Sequence, residues 1–100
     1  MIADLGRILA SAGIHARMTE DDKFARRVVL LIKRFSKDDR GDMDLEDLDT
    51  NRIMARSLRS GGGGTVMGSY GRTRDTSKSD ATVWIIQNEE STTVLFPDEY

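Results

Sequence analysis

Arg52, Arg56 and Arg59 stand at i, i+4 and i+7, so on a helix they share one face. Guanidinium forks grip phosphate oxygens or a guanine edge in bidentate fashion, so such a face suits a polyanion. Asn51, directly before them, joins the set, and Arg72, Arg74 and Lys78 add a second basic group within the polar stretch 71–80. The same three arginines would also serve a plainer purpose, the solvation of an exposed helix face. Both readings stand at this point.

Other chemistries find less support. The chain has no cysteine, so it offers neither a disulfide framework nor a thiolate nucleophile or ligand. A single histidine, His15, excludes a multi-histidine metal site. Asp38-Asp39-Arg40-Gly41-Asp42-Met43-Asp44 invites a calcium loop, but with Gly41 in the glycine place Arg40 falls on a ligand position. Starting at Asp42 instead puts Asp47 where glycine belongs and Ile53 where the closing glutamate belongs. Arg40-Gly41-Asp42 is also the integrin-binding tripeptide, and it is read as chance. Gly61 to Gly64 lacks the following Lys and Ser or Thr of a phosphate loop and leads into a strand. No acid pair stands near a nucleophile, base or oxyanion donor, so no enzyme, cofactor or metal is expected.

Charge is segregated along the chain. The whole carries a net −2, with a pI of about 5.3. Residues 1–40 hold nine bases against six acids, and 41–50 hold five acids and no base. Residues 51–80 hold six bases against two acids, and 81–100 hold four acids and no base. Segregation of this kind makes local fields that the net charge hides.

The elements that would position these residues follow from periodicity. With 100 residues, 38% of them apolar, the chain is expected to be one small domain. Leu5, Ile8 and Leu9 predict a short helix over 3–12, ended by Gly13. Thr19 before Glu20, Asp21 and Asp22 predicts the cap of a second helix over 20–36. Phe24, Val28, Leu31, Ile32 and Phe35 give that helix one buried apolar stripe. Residues 43–48 predict a third helical stretch, Asp49-Thr50-Asn51 a turn, and about 51–60 a fourth helix with Ile53, Met54 and Leu58 facing inward, stopped by Gly61 to Gly64. Residues 61–64 read as a glycine hinge between a helical part, 1–60, and a β part, 65–100. Strands are expected at 65–70, 81–87 and 92–96, the last two forming an antiparallel hairpin through Asn88 to Ser91 and covered on both sides. The fold class is therefore α+β, N-terminal helices followed by a C-terminal antiparallel hairpin or small sheet.

Two short helices joined by a tight turn, then a hairpin with a polar tip, resemble a winged helix-turn-helix domain over about residues 20–87. The resemblance implies that 52–59 enters the major groove and that the loop 71–80 is a wing against the backbone or minor groove. It implies a small DNA-binding module, a transcription or replication regulator acting as a homodimer. The alternative is a non-enzymatic structural or assembly protein, such as a viral or phage component, acting through contacts with other protein subunits. The longest apolar run, Val28 to Ile32, is far below the roughly 20 residues of a membrane helix. No signal peptide is read, so the expected location is the cytoplasm, or a viral particle under the alternative.

Overall fold

The structure is a computed structural model that describes residues 6–37, 39–41, 45–71 and 82–100, with side chains there except at 45–49, 51 and 59. Among the described residues the order is β1 (Arg7–Ala10), α1 (Ala12–Glu20), α2 (Asp22–Ser36), α3 (Leu45–Arg59), β2 (Val66–Tyr70), β3 (Val83–Gln87) and β4 (Ser91–Leu95), closed by a 3-10 turn at Pro97–Glu99. The strands form one mixed sheet in the order β1-β4-β3-β2. β1 runs parallel to β4, and the other two pairings are antiparallel. An α+β class is thus correct, with a strand ahead of the helices.

α2 forms because its apolar residues fall on one stripe and its first turn is capped. Asp21 Oδ1 accepts from the backbone N–H of Lys23 at 3.0 Å and of Phe24 at 3.2 Å. These bonds satisfy donors that a helix start leaves open. Asp21, not Thr19, is the cap; Thr19 lies in α1 and donates to the His15 carbonyl. Phe24, Val28, Leu31 and Phe35 are buried as expected, and Ile32 packs beside them half-buried. They meet Val66, Tyr70, Val83, Ile85 and Val94 from one face of the sheet, with Ile14 of α1 and Ala55 of α3. Leu31, 4% exposed, sits in the middle of this layer. Leu31→Ala is expected to lower stability by about 2–5 kcal/mol in urea unfolding.

Several sequence expectations are corrected. Within the helix predicted over 3–12, residues 3–5 lie outside the described residues, Arg7–Ala10 is the strand β1, and α1 begins only at Ala12. Four residues cannot display a period, and the parallel ladder to β4 decides the conformation. Ser11 is the true cap, its Oγ accepting from Ile14 N at 3.1 Å, and Gly13 lies inside α1 rather than ending a helix. The turn predicted at Asp49-Thr50-Asn51 does not exist, because α3 is continuous from Leu45 to Arg59. Turn formers cost only tenths of a kcal/mol each inside a helix, which packing outweighs. Here Met54, Ala55 and Leu58 lie against the core, whereas Ile53, expected inward, is exposed. The helix-turn-helix pattern therefore lacks its turn.

The strands follow their sequence signals more closely. β3 and β4 pair as the expected hairpin, Trp84 opposite Leu95 and Gln87 opposite Thr92. Asn88 Oδ1 accepts from the N–H of both Glu90 and Ser91 at 2.9 Å, which builds the turn. β2 pairs with β3 from Val66–Gln87 to Tyr70–Val83, the two strands expected to flank the 71–80 loop. Gly61 to Gly64 end α3 through bonds from Gly61 N to the Leu58 carbonyl and Gly62 N to the Ser57 carbonyl. Ser57 Oγ also donates to the Gly63 carbonyl at 2.7 Å. The glycines are tied to the helix they terminate. Only one face of the hairpin is covered by the described helices. Trp84, Ile86, Met67, Thr93 and Leu9 share the opposite face by register, and none of them belongs to the buried core cluster.

Candidate nucleic-acid interface

The outward face of α2 carries Lys23, Arg26, Leu30, Lys33 and, at its C-cap, Lys37. The spacing alternates three and four residues, so these side chains form one stripe along the helix. All five are exposed, Leu30 at 59%. At 1.5 Å per residue the stripe runs about 21 Å. The ion pairs among the described residues are Arg17–Asp21 at 3.9 Å and Arg34–Asp39 at 2.7 Å. Lys23, Arg26, Lys33 and Lys37 make no ion pair there. The opposite, apolar face of the same helix holds the stripe in place by packing on the sheet.

Arg27, beside that stripe, ties α2 to the end of β2. Its Nη2 donates to the Gly71 carbonyl at 2.8 Å and the Tyr70 carbonyl at 3.3 Å. Gly71, which directly precedes Arg72 in the sequence, is thereby fastened to α2. Of the residues picked from sequence, Arg52 and Arg56 are exposed one turn apart on α3. The side chains of Asn51 and Arg59 lie outside the described residues, as do Arg72, Arg74 and Lys78. The acidic stretch 42–49 has no described side chains either. The α2 stripe went unnoticed in the sequence because each of its cations fits a plain solvated face. Their shared three-four spacing was the available signal.

A second polar cluster is architectural. Arg40 is 7% exposed, its guanidinium 4.3 Å from the centre of the Phe35 ring. It donates to the Phe35 carbonyl. Arg34 holds Asp39 through Nε at 2.7 Å and Nη2 at 3.3 Å and lies over the Tyr70 ring. Tyr70 Oη donates to the Asp39 carbonyl at 2.7 Å, and burial pushes its phenol well above the ordinary value, keeping it a neutral donor. Ser69 N donates to the Arg40 carbonyl, and Gly41 bridges Ser69, so residues 39–41 line the outer edge of β2. Arg40-Gly41 is thus a structural strap.

The Arg34 hydrogen bond holds the Asp39 carboxyl below its ordinary value of 3.8. A carboxyl whose folded value is depressed stabilises the fold above its unfolded value and loses that contribution as pH falls. Asp39→Asn is therefore expected to lower the melting temperature near neutral pH. The difference from wild type should shrink as pH drops below about 4. A gap that stays constant down to the acid limit would contradict this linkage.

Among the described residues no cluster of three His, Cys, Asp or Glu could hold a metal ion, and no helix is long and apolar enough to cross a membrane. Comparison with family models, with curated proteins and with solved structures found no match.

Proposed function

We propose that this protein is a small, non-enzymatic DNA-binding module that grips the phosphate backbone with the outward face of α2. The observation that carries the reading is the stripe of Lys23, Arg26, Lys33 and Lys37, four exposed cations on one line that make no ion pair among the described residues. On a chain of net charge −2, such a line concentrates positive potential that the rest of the surface opposes. Its length, about 21 Å, matches about six phosphate steps of one strand. Arg72, Arg74 and Lys78 follow Gly71, which Arg27 fastens to α2, and these three cations are proposed as further phosphate contacts. In this reading the groove contact passes from the α3 arginines to α2, and Arg52 and Arg56 act as secondary contacts. The regulatory role is carried by occupancy of DNA, with no chemistry performed.

The test is a binding titration on short duplex DNA at several salt concentrations. Four phosphate contacts would make log K fall with log salt at a slope of about −3.6. No binding at low salt, or a slope near zero, would reject the reading.

The apolar sheet face turned away from the helices, half-exposed at Met67, Trp84 and Ile86, favours a second reading, a structural or assembly component acting through subunit contacts. Leu9, Met67, Trp84 and Ile86 share that face, and the Tyr100 ring is the aromatic neighbour of Trp84 at 5.8 Å. Apolar sheet faces of this kind are where subunits join.

A further inference from the structure

We infer that β1 is a self-complementary edge through which two copies of this chain pair antiparallel, continuing their sheets into one of eight strands. The inference gives the assembly reading its surface and is independent of DNA binding. β1 is the end strand of the sheet and meets only β4 among the strands. Arg7 N donates to the Glu90 carbonyl and Ser11 N to the Val94 carbonyl, so alternate groups of β1 point inward. Ile8 and Ala10, between them in the alternation, direct their N–H and C=O groups outward, where no described residue meets them. An edge of that kind is a template for another strand.

The opposite edge of the sheet is managed differently. Residues 39–41 run along β2, with Ser69 N bonded to the Arg40 carbonyl and a bridge from Gly41 to Ser69. β1 carries no such strap from the described residues. It also exposes a large apolar side chain on each face of the sheet. Ile8, on the helix side, is 52% exposed and Leu9, on the open side, 40%. A neighbouring strand with its own helix layer would cover both.

A second copy fits this edge by symmetry. A two-fold axis perpendicular to the sheet through Leu9 keeps the helix layers of both copies on the same side. It sets Ile8 against the partner's Ala10, Leu9 against the partner's Leu9, and Arg7 against the partner's Ser11. The two Ile8–Ala10 pairs are then hydrogen-bonded pairs, which use all the outward groups of those residues. The Leu9 pair is of the closer, non-hydrogen-bonded kind, with side chains in contact on the open face.

Charge agrees with the same register. Ser11 Oγ donates to Glu99 Oε1 at 2.6 Å, and Gly13 N donates to Oε2 at 2.9 Å. Those bonds, with one from Phe96 N, keep the Glu99 carboxyl ionised below its ordinary range. Arg7 is exposed and would reach the partner's Glu99 across the axis, once in each direction. Such a strand pair is smaller than a standard interface of about 1,600 Å2, so association is expected to depend on concentration.

The test combines sedimentation with directed cross-linking of the full chain. The wild type is expected to shift from monomer to dimer as concentration rises to about 200 μM. Ala10→Pro removes an outward N–H that no described group uses and is expected to leave a folded monomer. The chain has no native cysteine, so Leu9→Cys introduces a single thiol. Its close pair across the axis is expected to oxidise to a disulfide dimer, whereas Ile8→Cys, displaced from its own copy by the register, is not. A wild type that stays monomeric overturns the inference. So does a dimer that Ala10→Pro leaves intact and Leu9→Cys does not trap; in that outcome assembly survives through another surface. Should Ala10→Pro fail to fold, the two cysteine variants decide.

Discussion

Reversing Arg26 and Lys33 together to glutamate is expected to weaken binding to duplex DNA by at least about 100-fold at about 50 mM salt. Both side chains are exposed, lie two helical turns apart on the α2 stripe, and make no ion pair among the described residues. Each reversal removes one phosphate contact and puts an anion in its place. The lost contacts alone should reduce the salt slope by about two units. Folding should survive, because the buried stripe of Phe24, Val28, Leu31 and Phe35 is on the other side of the helix. The cost to the helix is confined to a less favourable charge near its C-terminal end, about 0.3–1 kcal/mol for Lys33→Glu. Circular dichroism and the melting temperature check that point.

The control is the pair Arg52→Glu and Arg56→Glu on α3. Under the α2 reading this pair reduces affinity by a smaller factor and leaves most of the salt slope. If the α3 pair abolishes binding while Arg26→Glu with Lys33→Glu leaves it unchanged, the contact surface is the one the sequence suggested. Arg56 is a clean probe here, since it is exposed and makes no ion pair among the described residues.

Why the sequence pointed to α3 rather than α2 has a physical answer. Arg52, Arg56 and Arg59 stand in a segment with few other strong signals, so their spacing is conspicuous. The α2 cations are interleaved with a strong apolar stripe, and that stripe accounts for the helix without them. The core itself was legible. α2 spans 15 residues, enough for the 3.6-residue period to separate a buried from an exposed face. β3 and β4 were legible from their β-branched and aromatic residues and from Asn88 at the turn.

What was not legible depends on distant partners. β1 has four residues and takes its conformation from the parallel ladder with β4, more than 80 positions away. Nothing within Arg7-Ile8-Leu9-Ala10 distinguishes an edge strand from a helical turn. The continuity of α3 through Asp49-Thr50-Asn51 likewise depends on packing against β2, which local propensity does not contain. The strap over β2 was likewise not legible in the sequence. Its buried Arg40 gains from the Phe35 ring and carbonyl 5 residues earlier, a contact that only the folded chain brings about.

Gly41→Ala is expected to be among the most damaging single-methyl changes in this protein, costing about 3 kcal/mol or more. Gly41 has φ of 72°, a region side chains rarely adopt. A Cβ there would overlap the Ser69 carbonyl oxygen and meet Cδ1 of Tyr70 at 2.6 Å. Backbone cannot rotate away as a flexible side chain would, so the strap would have to lift from β2. Lifting it breaks the Ser69–Arg40 bond and the Tyr70 bond to Asp39. Gly61 supplies the comparison. Its φ is 85°, but a Cβ there meets nothing within 4 Å. Gly61→Ala should therefore cost only the conformational strain, about 1 kcal/mol. Urea unfolding of the two variants separates steric overlap from strain, and equal losses would contradict the close approach at Gly41. Thermal scans should show the Gly41 variant melting about 15 °C or more below wild type. Because the α2 stripe is untouched, DNA affinity per folded molecule of the Gly41 variant, measured well below its midpoint, should equal that of wild type.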